Sequence, residues 1–208
     1  MNTVKRGLVA AGLVAGVLLV SACGGESHEG AAGMDHGGSA SAPAPDGGFN
    51  DADVAFAQMM IPHHEQALEM AELADGRAAD PEVEELAGKI ERAQDPEIET
   101  MRGWLKSWKQ PTSAASMPGM DHGSGHGSGH GGDGMMSASD MAELKGLKGA
   151  AFDRAFAEMM IEHHDGAIAM AEDLRRDGEN ADAKRLAAAV VKGQSAEVEQ
   201  LRDLLDRL

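Results

Sequence analysis

Between residues 50 and 108 the apolar positions recur every three or four residues. Phe56, Met59, Met60, His63, Ala67 and Met70 fall on one helical face, and the pattern stops near Asp75-Gly76. Asn50 offers an N-cap with Asp53 in a box-like position three residues on. Asp80-Pro81 restarts a second helix with proline at its first position, and Leu86, Ile90, Gln94, Ile98, Met101 and Leu105 form its stripe. The same pattern then returns. Phe152 to about Arg176 predicts a third long helix and Asp177-Gly178 its stop, with Leu186, Val190, Gln194, Val198, Leu201 and Leu205 as the stripe of a fourth. Residues 139–148 predict a short extra helix before the third.

The two patterned halves are one hairpin stated twice. Residues 53–72 read DVAFAQMMIPHHEQALEMAE and residues 153–172 read DRAFAEMMIEHHDGAIAMAE, at a constant offset of 100. Gln94/Gln194, Glu97/Glu197, Glu99/Glu199 and Arg102/Arg202 carry the match through the second helix of each half. One hairpin cannot bury its own apolar stripe, whereas two can bury each other. The expected fold is therefore all-α: a four-helix bundle of two repeated antiparallel hairpins related by a pseudo-two-fold, with its topology open. Pro62, opposite Glu162, predicts a kink just before His63. Asp95-Pro96 and its counterpart Ser195-Ala196 predict a kink or break in the other two helices.

The remaining segments set the expected compartment. Lys5 and Arg6 precede an apolar run from Gly7 to Val20, and Val20-Ser21-Ala22-Cys23 then looks like a bacterial lipobox. The expected organisation is a lipoprotein signal peptide at 1–22 and a disordered tether at 23–49, followed by hairpin repeat 1 at 50–109. A Met/His/Gly-rich linker at 110–138 and hairpin repeat 2 at 139–208 complete it, the two repeats packing as one domain. Lipidation of Cys23 would anchor the chain in the cell envelope, on the outer face of the cytoplasmic membrane. Cys23 is the only cysteine, so no intrachain disulfide can form. The net charge of −17 argues against nucleic acid and is compatible with attraction of cations.

Chemistry concentrates at the doubled His-His motif. Met59 lies one turn before His63 and Met60 one turn before His64, with Met70 two turns beyond; Met159, Met160, His163, His164 and Met170 repeat the set. Imidazole with thioether favours Cu(I), or silver as its analogue. Methionine needs no deprotonation to bind a soft metal, and it suits a compartment where thiolates oxidise. Gln94 and Gln194 interrupt apolar stripes and are expected inside the bundle, orienting the histidines as a second shell. Glu97 and Glu197 read as solvated surface glutamates. The linker supplies an auxiliary metal set, Met117, Met120, His122, His126, His130, Met135 and Met136, echoed in the tether by Met34-Asp35-His36.

The pattern F-x-x-MMI-x-HH-x-x-A-x-x-MA, followed by Q-x-x-E-I/V-E, resembles the domain-of-unknown-function 305 (DUF305) family, here in a duplicated lipoprotein form. That family is ferritin-like and includes copper-binding proteins of the CopM type. The resemblance implies copper or silver binding through Met59, Met60, His63, His64 and Met70 with Met159, Met160, His163, His164 and Met170, and a role in metal resistance. The expected function is sequestering copper or handing it over by ligand exchange, without bond-making catalysis. A copper-delivery protein is the expected partner. Two other classes stay open: a ferritin-like cuprous oxidase, and a metal-free envelope interaction module. A di-metal carboxylate enzyme needs inward Glu and Glu-x-x-His pairs, and neither repeat contains that motif.

Overall fold

The protein is described from a computed structural model, which covers residues 48–113 and 134–208. The expected signal peptide, the lipidation site Cys23, nearly all of the tether with Met34 and His36, and the linker residues Met117, Met120, His122, His126 and His130 lie outside the described residues. Five helices follow in chain order: α1 (Asp51–Glu72), α2 (Pro81–Ser107), α3 (Ala138–Gly146), α4 (Ala150–Asp177) and α5 (Ala181–Leu205). No strand occurs among the described residues, and none of their helices is long and apolar enough to cross a membrane.

Capping explains where the helices begin. The Asn50 side chain accepts from the backbone N–H groups of Ala52 and Asp53, and Asp53 accepts from the Asn50 N–H, closing a capping box. Asp80 caps α2 ahead of Pro81, Ser137 caps α3, and Asn180 caps α5. Pro62 and Pro96 both sit inside helices that run on without interruption, and so does the Ser195-Ala196 pair. The break expected at residues 95–96 and 195–196 is therefore absent. A proline removes one backbone bond, and packing along both flanks of a long helix outweighs that loss.

The hairpins are α1/α2 and α4/α5, and they meet through α1 and α4. Those two central helices run antiparallel. The start of α1 lies beside the end of α4, where Asn50 Nδ2 donates to the Asp177 carbonyl at 2.8 Å. Two buried carboxylates fasten this crossing. Asp153, at the start of α4, accepts from the backbone N–H groups of Ala79 and Asp80, which open α2. Asp53, at the start of α1, accepts from those of Glu179 and Asn180, which open α5. Each hairpin thus secures the turn of the other, and the four positions obey the offset of 100. The pseudo-two-fold of the sequence is a contact-level symmetry of the structure.

The core has two apolar compartments. One joins Ala67, Met70 and Ala71 of α1 to Leu86 and Ile90 of α2, Phe152, Phe156 and Met160 of α4, and Leu201 of α5. The other joins Phe56, Ala57 and Met60 of α1 to Ile98, Met101 and Leu105 of α2, Leu174 of α4, and Val190 of α5. Each compartment draws on all four long helices. Between them lies a polar waist.

Candidate metal centre

The waist is formed where all four long helices pass their midpoints. α1 and α4 supply His63, His64, His163 and His164, and α2 and α5 supply Gln94 and Gln194; all six are buried. Helical periodicity leaves no choice in this. Gln94 lies one turn from Ile90 and Ile98, so the stripe that buries those two buries the glutamine as well. The sequence assigns one histidine pair to each hairpin, and the structure brings the inner members together. The rings of His63 and His163 stand 3.8 Å apart centroid to centroid, tilted by 38°. His164 lies 6.4 Å from His163.

The outer histidines are held by carboxylates. His64 Nε2 pairs with Glu97 Oε2 at 2.8 Å, and His164 Nε2 with Glu197 Oε2 at 2.7 Å. A carboxylate there stabilises the tautomer with hydrogen on Nε2, which leaves the lone pair on Nδ1. Nδ1 of His64 and of His164 is buried and has no hydrogen-bond partner. Neither ring nitrogen of His163 has one. Buried polar atoms are rarely left in this state unless the site serves another ligand. Carboxylate–histidine pairs of this kind orient imidazoles toward metals.

Both amide atoms of Gln94 and Oε1 of Gln194 have no hydrogen-bond partner, and glutamate holds the outer histidines His64 and His164. Glu97 and Glu197, which read as solvated, are mostly shielded, with side chains 21% and 15% exposed. The signal that could have found them is their position three residues beyond each glutamine, conserved in register between the repeats.

Burial pushes the His163 imidazole well below the usual histidine range, and the neighbouring His63, His164 and His64 act in the same direction. The ring is neutral near pH 7, the state a metal requires. The acidic chain meanwhile favours the approach of a cation.

The methionines divide by exposure. Met60 and Met160 are fully buried, each one turn before the outer histidine of its own helix. Met70 is buried while Met170 is half-buried, and Met59 is 46% exposed while Met159 is half-buried. Met59 and Met170 line one surface pocket with Phe56 and Leu174. Met70 and Met159 belong to one compartment on the opposite side. The outer thioethers are thus paired across the repeats. Met135 is half-buried and Met136 buried, so these two linker residues pack on the bundle. Among the described residues no three His, Cys, Asp or Glu side chains group so as to hold a metal ion. Met60 and Met160 lie in the two apolar compartments that flank the waist, each one turn before an outer histidine.

Comparison with known proteins identifies the chain's relatives. The model of DUF305, a domain of unknown function, matches residues 53–205 as one span running through both hairpins. A DUF305 protein of Streptomyces coelicolor is 32% identical in a match covering 75% of this chain and 93% of that one, with a TM-score of 0.64. A DUF305 fragment from Deinococcus radiodurans is 30% identical over 79% of this chain and 100% of that one, with a TM-score of 0.65. CopM in its Cu(I)-bound form is 32% identical over 74% of this chain and 96% of that one, with a TM-score of 0.60. CopM has also been solved in Cu(II)-bound and silver-bound forms. No curated protein matches the sequence.

Proposed function

This chain belongs to the DUF305 family, and from that premise we propose that it is a lipid-anchored, extracytoplasmic copper-binding protein that takes up Cu(I), or Ag(I) in its place. The copper- and silver-bound forms of CopM, a relative of the same fold, support the class of cargo. The observation that carries the reading is the state of the waist: three buried histidines present nitrogens without partners, and two of them are oriented by glutamate. His63, His64, His163 and His164 supply imidazole to the ion, and Met60 and Met160 supply thioether. Gln94 and Gln194 flank the layer. Met59, Met70, Met159 and Met170 serve as outer donors, and the Met/His linker collects ions ahead of the bundle.

The work done is ligand exchange. A soft monovalent ion passes from one Met/His set to the next, its charge and oxidation state unchanged, and is stored or given to a delivery partner. Thioethers and neutral imidazoles select Cu(I) over hard divalent ions. Cleavage before Cys23 and lipidation there would hold the acidic domain at the outer face of the membrane, where arriving metal is met first.

The test is an anaerobic Cu(I) titration of the chain against a chromophoric chelator. A variant with His63, His64, His163 and His164 changed to Ala is run beside it. The intact chain is expected to withdraw Cu(I) from the chelator and the variant to lose its tightest sites. Failure of the intact chain to compete would overturn the reading.

A further inference from the structure

The methionines are unevenly shared between the compartments. One compartment gathers Met70, Met136, Met141 and Met160, with Met159 packed against it; the other has Met60 and Met101, with Met170 against it. The excess comes from the segment that leads into α3 and from α3 itself. The pseudo-two-fold makes the difference legible. Met59 and Met170 line an open pocket, whereas Met70 and Met159 belong to a compartment that Met141 and Leu144 of α3 also join.

The covering segment is fixed in place by its backbone. Gly134 has φ +76°, and a Cβ there would stand 2.7 Å from the Glu162 carbonyl oxygen and 3.0 Å from Gly166 Cα. Only glycine allows the chain to cross α4 so closely. Two residues on, Met136 is bonded in both directions to one side chain of α1: its N–H donates to Gln66 Oε1 at 2.7 Å, and Gln66 Nε2 donates to its carbonyl at 2.9 Å. The Met136 side chain is buried in the same apolar compartment as Met70. Met70 is one turn beyond Gln66, and Met159 is one turn before His163. Three separate segments thus deliver thioethers to one apolar compartment, and Met141 and Met160 line it too.

Packing alone does not call for sulfur here. α3 already contributes Leu144 to this compartment, and the stripes of α2 and α5 are built mainly from Leu, Ile and Val. We propose that Met70, Met136 and Met159, backed by Met141, form a thioether-only site for a soft monovalent cation, Cu(I) or Ag(I), distinct from the histidine waist. The proposal rests on the copper reading above and adds a second class of site to it. Thioethers carry no proton to lose, so binding at this site releases none.

The experiment uses the full chain labelled at its methionine methyl groups and titrated with Ag(I), followed by NMR at pH 7.5. Methyl signals of Met70, Met136 and Met159 are expected to shift, and histidine ring signals to shift as a separate set. A Met136→Leu, Met141→Leu double variant conserves core volume. It is expected to bind one equivalent of Ag(I) fewer and to lose the shifts at Met70 and Met159 while keeping those of the histidines. Histidine signals that move while Met136 stays still, or a double variant that keeps its full complement of silver, would overturn this inference alone. If neither set of signals responds to Ag(I), the copper reading itself falls.

Discussion

At the scale of single residues, the waist is a place where ordinary rules of burial are broken together. His163 is buried with its pKa depressed chiefly by burial, so unfolding lets it take up a proton that the folded metal-free chain refuses. The sign follows: its contribution to stability is intact above about pH 6.5, the unfolded value, and is lost as pH falls below it. In urea titrations, stability should decline below that pH by up to about 1.4 kcal/mol per pH unit for this one proton. His163→Gln should flatten the decline. Glu97→Gln and Glu197→Gln address the orienting carboxylates. They should leave the fold intact and weaken Cu(I) binding about 10- to 100-fold in chelator competition, the range typical of metal-orienting partners. The histidines were legible in the sequence because their burial follows from the stripe that contains them. Their glutamate partners were not, because Glu97 and Glu197 stand at the edge of that stripe, where periodicity does not separate a shielded carboxylate from a solvated one.

At the scale of elements, α1, α2 and α5 begin where their capping residues place them, and the turn after α1 carries more than a change of direction. Asp153 satisfies the N–H groups that open α2, and Asp53 those that open α5. Replacing either by Ala leaves buried donors without an acceptor. We expect each change to cost about 2–3 kcal/mol, seen as a lower midpoint in thermal or urea unfolding. The two losses should be similar, because the contacts are related by the pseudo-two-fold. The sequence showed Asp53 as a box residue of its own helix and could show no more, since its second set of partners lies in the other repeat. The same limit applies to the methionines. Spacing puts Met59 and Met70 on one face of α1, but only the crossing of α1 and α4 pairs Met59 with Met170.

At the scale of the whole molecule, neither hairpin owns a core. Both compartments draw on α1, α2, α4 and α5, so residues 48–113 expressed alone should show no cooperative melting by circular dichroism. Mixing that fragment with residues 134–208 should restore it. The crossed carboxylates also set a clock on biogenesis. Asp53 finds Glu179 only across 126 positions of chain. At about 5–20 residues per second of synthesis, roughly 6–25 s pass between the appearance of the first carboxylate and that of the turn whose N–H groups it accepts from. For that interval the first hairpin carries an unburied apolar stripe and an unshielded pair of histidines. The chain is therefore most open to misassociation, to proteases and to stray metal before its second half arrives, and whatever guards it need act only for that time.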